Sequence, residues 1–398
     1  MGAKVGKPIA GGVVVAICFL IAALEGYDIQ AFGVAAPKLS PEFHLGPAQL
    51  GWAASAAMIG LVLGAFAGGW IADRAGRKPV LIASVAAFGV FSVATAMTHT
   101  FPELLLARLA TGLGFGGAMP NLIAVATEIS RPARRAGTVT TMFCGMPAGG
   151  AVVSLIARYA GADLPWRTLF LIGGVAPLLL IPLVFLVLPE TRPDHPRDVD
   201  RRVLNALFGQ GRAVATLLLW AAFMLTLVVL YLLLNWLPTL VIAKGLSPAD
   251  GAAAAFSFNL VSIAGSLLLG FVVDRVGFRW PLALAYVGLA AVMLAMGVSE
   301  DRGALLALSG AAGFLVLGAQ YSLYAWAPIL YPPQLRGWGS GAAVGVGRLG
   351  SIIGPLLAGQ LREAGLSSGQ VLGVTAPVIL AAGAAAFALS FVARSAEA

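Results

Sequence analysis

Gly69 to Lys78 reads GWIADRAGRK, and Gly270 to Arg279 reads GFVVDRVGFR. The two stretches share one register at an offset of 201 residues. Gly69, Asp73, Arg74 and Gly76 recur as Gly270, Asp274, Arg275 and Gly277, and Lys78 recurs as Arg279. At the same offset Gly112 answers to Gly313, Pro132 to Pro333 and Arg135 to Arg336. A register that holds without a gap from Gly69 to Arg135 predicts two halves of one architecture. In a very apolar chain, such duplication points to internal repeats that meet around a shared site.

The composition agrees. The chain has 398 residues, of which 59% are hydrophobic and 11% charged, and its mean hydropathy is +0.92. Soluble domains carry about 25% charged residues. Here the charges sit in short gaps between apolar runs, and fifty glycines suit close helix packing in lipid. Twelve runs are each near the length of about 20 residues that a bilayer core requires. They span 9–36, 50–72, 79–98, 102–126, 136–160, 167–188, 214–243, 252–273, 280–298, 303–330, 338–360 and 371–393. The predicted fold is an all-α membrane protein of twelve transmembrane helices in two pseudo-symmetric six-helix bundles. Residues 1–188 form the N-terminal bundle, 189–213 a polar linker and 214–398 the C-terminal bundle.

Lysine and arginine set the expected sidedness. With the N-terminus in the cytoplasm, 17 of the 25 basic residues fall in cytoplasmic segments, 6 in outer segments and 2 within spans. The positive-inside rule therefore predicts cytoplasmic termini and a cytoplasmic linker. This bias accounts for the net charge of +8 without a nucleic-acid partner. Cys18 and Cys144 lie in apolar runs and read as free thiols filling core space. No metal-ligand spacing, phosphate-binding loop or nucleophile elbow stands out, so neither a cofactor nor an enzymatic role is expected. His44, His99 and His195 lie in or beside loops, which argues against a histidine relay. The first run carries Glu25 and Asp28 and more spans follow, so a cleaved signal peptide is not expected.

The two intramembrane basic residues are Arg108 and Arg348, and Glu25 and Asp28 are the acidic residues well inside a span. A charge at the centre of a membrane helix costs about 2.5–3.5 kcal/mol on insertion scales, so four of them need a purpose. Glu25 and Asp28 share one helical face. Counted along the spans, their depth is comparable to that of Arg108, which predicts an ion pair. Arg348 stands near the middle of span 11 in the other half, with no acidic residue in any span of that half. A static polar clamp between helices is one reading. The other uses the chemistry directly: a guanidinium grips a carboxylate through a two-pronged fork, and a buried carboxylate trades a proton as its partner leaves or returns.

At this point the residues carry a resemblance. GWIADRAGRK resembles the loop between spans 2 and 3 of major facilitator superfamily transporters. Arg108 to Pro120 (RLATGLGFGGAMP) resembles the span-4 motif of that family, Cys144 to Gly150 (CGMPAGG) more loosely its span-5 motif, and Leu188 to Thr191 (LPET) the end of its span 6. In span 1, Glu25 to Pro37 (EGYDIQAFGVAAP) is similar to the Asp-Gly-x-Asp signature of aromatic acid–proton symporters, with Glu25 in place of the first aspartate. That variant, with Asn235 to Pro238 (NWLP) and Val346 to Gly359 (VGRLGSIIGPLLAG), resembles a hydroxyphenylpropionate-transporting branch of the group. The resemblance implies a bacterial inner-membrane symporter, and a monomer is expected. Its expected cargo is a small aromatic carboxylate, hydroxyphenylpropionate- or hydroxybenzoate-like, imported with a proton by alternating access.

In that reading Glu25, Asp28 and Arg108 couple the proton, and Arg348 holds the substrate carboxylate, with Arg108 as a second contact. Asn235 and Gln320 are candidate substrate hydrogen-bonders, as is Asn259; all three can equally bond between helices. Tyr231, Tyr321 and Tyr324 can stack on an aromatic ring or simply pack. Asp73, Arg74, Arg77, Asp274 and Arg275 are candidate gating residues at a helix end, where charge pairs can latch neighbouring helices. A solvated turn is the alternative there. Phe278 replaces Arg77 in the second copy, which predicts a weaker latch. A proton-coupled exporter of drugs or metabolites on the same fold is the nearest rival, and an embedded sensor or enzyme the rival from another class.

Overall fold

The computed structural model describes residues 11–128, 135–160, 164–188, 190, 207–209, 211–332 and 336–395. Most of the expected linker, together with Pro132 and Pro333 of the repeat, lies outside the described residues. The described helices are α1 (Gly11–Glu42), α2 (Pro47–Ala75), α3 (Arg77–Ala96), α4 (Phe101–Glu128), α5 (Arg135–Phe143), α6 (Gly145–Tyr159) and α7 (Trp166–Val187) in the first half. The second half holds α8 (Ala213–Ile242), α9 (Pro248–Val276), α10 (Arg279–Val298), α11 (Arg302–Trp326), α12 (Arg336–Glu363) and α13 (Ser368–Ser395). A 3-10 turn at Ala327–Leu330 extends α11. Among the described residues, twelve spans are long and apolar enough to cross a membrane, α5 and α6 together making the fifth.

The duplication is visible atom by atom. α2 and α9 are both 29 residues long and start 201 residues apart. Each opens with proline at its first position, where the missing N–H costs nothing. Each closes on glycine with positive φ, 95° at Gly76 and 80° at Gly277, a conformation that other residues adopt at a cost. The packing repeats as well. A Cβ built on Gly112 would lie 1.9 Å from the Ala57 carbonyl oxygen, and one on Gly313 would lie 2.1 Å from that of Phe258. Gly64 meets the Leu113 carbonyl at 2.2 Å and Gly265 meets that of Phe314 at 2.2 Å in the same sense. All four pairs are related by the sequence offset. Backbones this close need small residues, the usual device for packing helices that gain nothing from leaving lipid.

The halves meet chiefly where α1 packs on α8, α2 on α12 and α6 on α9, with a smaller contact of α1 on α9. At the end away from the termini the contact is backbone-close. Gly33 faces the Leu234 carbonyl, Gly51 that of Pro355, and Gly359 that of Pro47. Ser55 donates to the Ile352 carbonyl (2.8 Å), and the Ala48 N–H at the start of α2 donates to Glu363 (3.2 Å). Toward the terminus-bearing end, Gly341 and Gly345 of α12 meet nothing within 4 Å. The closest backbone approaches between the bundles thus lie at the end away from the termini.

Candidate functional site

Two prolines prepare the seam for contact between the halves. Proline has no N–H, so it leaves the carbonyl four residues earlier without its helical donor. Pro147 frees the Phe143 carbonyl, which receives the Tyr321 hydroxyl from α11 at 3.1 Å. The same gap interrupts span 5 between α5 and α6 at Cys144. Pro238 frees the Leu234 carbonyl, which receives the Gln30 amide from α1 at 3.1 Å. Asn259 of α9 donates to the Gln30 oxygen at 2.9 Å, so one small network ties α1, α8 and α9 together.

Beside these contacts lies a cavity with about 610 Å³ of empty space, counting the part continuous with solvent. Arg348, Gln320, Tyr231, Tyr321, Tyr324 and Asn259 supply its polar lining. Leu227, Leu230, Leu317, Met146 and Phe143 supply much of the apolar part. Arg348 donates from Nη1 to the Tyr231 hydroxyl at 2.7 Å. Tyr324 stacks on Phe143 of the other half, with centroids 5.9 Å apart and planes 13° from parallel. Gln320 is 1% exposed, and neither its Oε1 nor its Nε2 has a hydrogen-bond partner.

The four intramembrane charges do not form one cluster. Arg108 Nη1 lies 2.6 Å from Asp28 Oδ2, with both side chains buried. Ser92 donates to the other carboxylate oxygen at 2.6 Å. Phe32 and Phe170 stand 5.3 and 5.4 Å from the guanidinium carbon. This assembly is contained within the first half. The expected pairing of Arg108 with both carboxylates thus forms with Asp28 alone. Glu25, one helical turn away, is 1% exposed, and both its carboxylate oxygens lack a hydrogen-bond partner. Arg348, across the seam, and Asp28 both act on it electrostatically. Arg348, which has no acidic residue within the spans of its own half, is held by the Tyr231 hydroxyl. Three charges on two adjacent spans were separable only by which way each side chain leaves its helix.

The remaining expected residues divide. Tyr231, Tyr321, Tyr324 and Gln320 all reach the cavity. Asn235 does not: its amide donates to the Tyr231 carbonyl of its own helix at 2.9 Å, and it is absent from the lining. Arg108 is likewise absent from the lining, because its aromatic and carboxylate neighbours enclose it. Asp73 and Asp274 are exposed at the helix ends. Arg74 lies over the Trp70 ring at 3.8 Å and Arg275 over the Phe271 ring at 4.0 Å, a pair again related by the offset of 201. Phe278, where the first copy has Arg77, stacks on Trp326 at 4.7 Å and 7°. Gln30, Ser92 and Phe143 went unnoticed in the sequence. For Phe143 a signal exists, the proline four residues on; Gln30 is polar and two residues past Asp28; Ser92 carries none. Among the described residues no cluster of histidine, cysteine or acidic side chains could hold a metal ion.

Comparison with known proteins matches residues 18–355 to the family described as Major Facilitator Superfamily. The chain is 44% identical over 375 residues to the 3-(3-hydroxyphenyl)propionate transporter of Escherichia coli K12, covering 94% of this chain and 93% of that one. It is 33% identical to a 4-hydroxybenzoate transporter of Pseudomonas aeruginosa, covering 94% and 91%. Among solved structures, a bacterial homologue of the human lysosomal transporter Spinster superposes with a TM-score of 0.77 at 20% identity, covering 97% and 98%. A D-xylose–proton symporter gives 0.77 at 18% identity, covering 93% and 95%. At such identities the structural likeness speaks for the fold alone.

Proposed function

The chain belongs to the major facilitator superfamily and is a multi-pass membrane transporter rather than an enzyme, and from that premise we propose that it imports a small aromatic carboxylate together with a proton. The relatives named for hydroxyphenylpropionate and 4-hydroxybenzoate support the substrate class. The positive-inside bias supports a bacterial inner-membrane location with cytoplasmic termini. In that orientation the closest contacts between the halves, α1 with α8 and α2 with α12, lie on the outer side, which supports an inward-facing reading of this state. The chain works as a monomer, its site lying between its own halves.

The observation that carries the reading is the seam cavity itself. It offers a guanidinium to a carboxylate, and three tyrosines and a phenylalanine to an aromatic ring. The fork of Arg348 has one arm on Tyr231 and can turn the other to substrate. Glu25 supplies the coupling. A buried carboxylate without donors needs a proton or a counter-charge, and in this reading Arg348, whose field reaches Glu25, is that counter-charge. The substrate carboxylate and the Glu25 carboxylate therefore compete for one cation. A proton on Glu25 releases Arg348 to the substrate, and substrate on Arg348 favours the proton on Glu25. Loading of the two becomes mutually dependent, as symport requires. Asp28, Arg108 and Ser92 keep the first half in shape beside this exchange. On the cytoplasmic face, Asp73, Arg74, Arg77, Asp274 and Arg275 latch the helices when that side closes in the opposite state.

The rival exporter of drugs is disfavoured, since an arginine-lined cavity repels organic cations. The test is uptake into proteoliposomes carrying an inward proton gradient. 3-(3-Hydroxyphenyl)propionate should accumulate above its equilibrium level, and a protonophore should abolish the accumulation. Preferential uptake of sugars or of organic cations would refute the proposal.

A further inference from the structure

Gln320 is the most conspicuous unsatisfied group in the cavity. Its side chain is 1% exposed, yet both Oε1 and Nε2 lack a protein partner. A buried amide left in that state is costly, and native proteins rarely tolerate one without a use for it. The helix explains where it points. Leu317, Gln320, Tyr321 and Tyr324 follow the spacing of one helical face, and all four line the cavity. Apart from Tyr324, whose ring stacks on Phe143, the other polar side chains of the lining are already hydrogen-bonded. Asn259 serves Gln30 and Ala255, Tyr321 serves Phe143, and Arg348 holds Tyr231.

An amide presents one acceptor and two donors at its tip. A carboxylate accepts only, and Arg348 already answers it. A methyl group or a bare ring edge offers nothing to either atom. A hydroxyl both donates and accepts, so it can meet Oε1 and Nε2 in turn. We infer that Gln320 is a specificity residue that reads a ring hydroxyl, so that the cavity selects hydroxylated aromatic acids over their unsubstituted counterparts. The inference rests on the proposed substrate class and sharpens it. The carboxylate sits on Arg348, the ring lies among Phe143, Tyr324 and the leucines, and the hydroxyl ends at Gln320. Discrimination of this kind is stronger than discrimination by shape, because an analogue lacking the hydroxyl leaves the amide stranded again.

The test is calorimetric binding to the purified full chain of one pair, 3-(3-hydroxyphenyl)propionate and 3-phenylpropionate. Wild type should favour the hydroxylated member by about tenfold or more. In Gln320→Leu the ratio should fall to about one, chiefly through weaker binding of the hydroxylated acid, with 3-phenylpropionate bound as well as before or better. Gln320→Asn, which keeps the amide but withdraws it by one methylene, should lie between and controls for a folding defect in the leucine variant. Equal affinity of wild type for both acids overturns the inference while leaving the proposed function standing. An unchanged ratio in both variants does the same. Binding of neither acid to wild type overturns the proposed function, and this inference with it.

Discussion

Removing one partner of the Arg108–Asp28 pair should destabilise the protein far more than removing both. The pair spans α4 and α1 at 2.6 Å, with side chains 1% and 0% exposed. Ser92 completes the carboxylate and two aromatic rings flank the guanidinium. Water has no access, so Asp28→Asn strands a cation and Arg108→Met strands an anion. Stranding one member of a buried pair costs about 3–5 kcal/mol, whereas apolar replacement of both is close to neutral. With an unfolding entropy of about 2.1 cal/mol/K per residue, the single substitutions should lower the unfolding midpoint by about 4–6 °C. The double substitution Asp28→Leu with Arg108→Met should recover most of that loss. A double-mutant cycle on detergent-purified protein, read by intrinsic fluorescence during heating, gives the coupling directly. Additive losses, with the double variant the least stable of all, would refute the claim that these two charges exist for each other.

Other expected outcomes separate the roles of the seam residues. Glu25→Gln should abolish proton-driven accumulation but keep substrate exchange between loaded vesicles, since an amide leaves Arg348 free yet cycles no proton; retained accumulation would move coupling elsewhere. Asn235→Ala should change substrate affinity less than about twofold, because its amide is spent inside its own helix; a larger loss in titration would return it to the site. Gly33→Ala puts a methyl group 2.3 Å from the Leu234 oxygen, where backbone must yield. Overpacking of about 1–3 kcal/mol should shift the population toward the outward-open form by about 5- to 150-fold, seen as longer distances between nitroxide labels on the α1–α2 and α12–α13 loops. Glu363→Gln removes an anion from the N-terminus of α2. That should weaken the same closure by only about two- to fivefold at low salt; an effect as large as that of Gly33→Ala would contradict the dipole argument.

The sequence by itself determined the repeat, the twelve spans and the list of charges that had to be explained. Those properties are one-dimensional. Hydropathy marks a span wherever it falls, and an offset of 201 aligns Gly112 with Gly313 before either is seen to face a carbonyl. Depth is nearly one-dimensional too, because a helix rises about 1.5 Å per residue. That is why Asp28 and Arg108 could be matched across spans by counting. Only the tertiary structure decided direction. Glu25 and Asp28 are a turn apart on one face, yet Asp28 meets Arg108 inside its own half while both carboxylate oxygens of Glu25 are left without a hydrogen-bond partner. Asn235 and Gln320 read alike as polar residues in apolar spans. One folds back onto its helix and the other is left unpartnered in the cavity. Which neighbour each helix face meets depends on how the two bundles rotate against each other, and the close glycine contacts at the end away from the termini fix that rotation. No single stretch of sequence encodes it, because it arises from pairs of residues some two to three hundred positions apart.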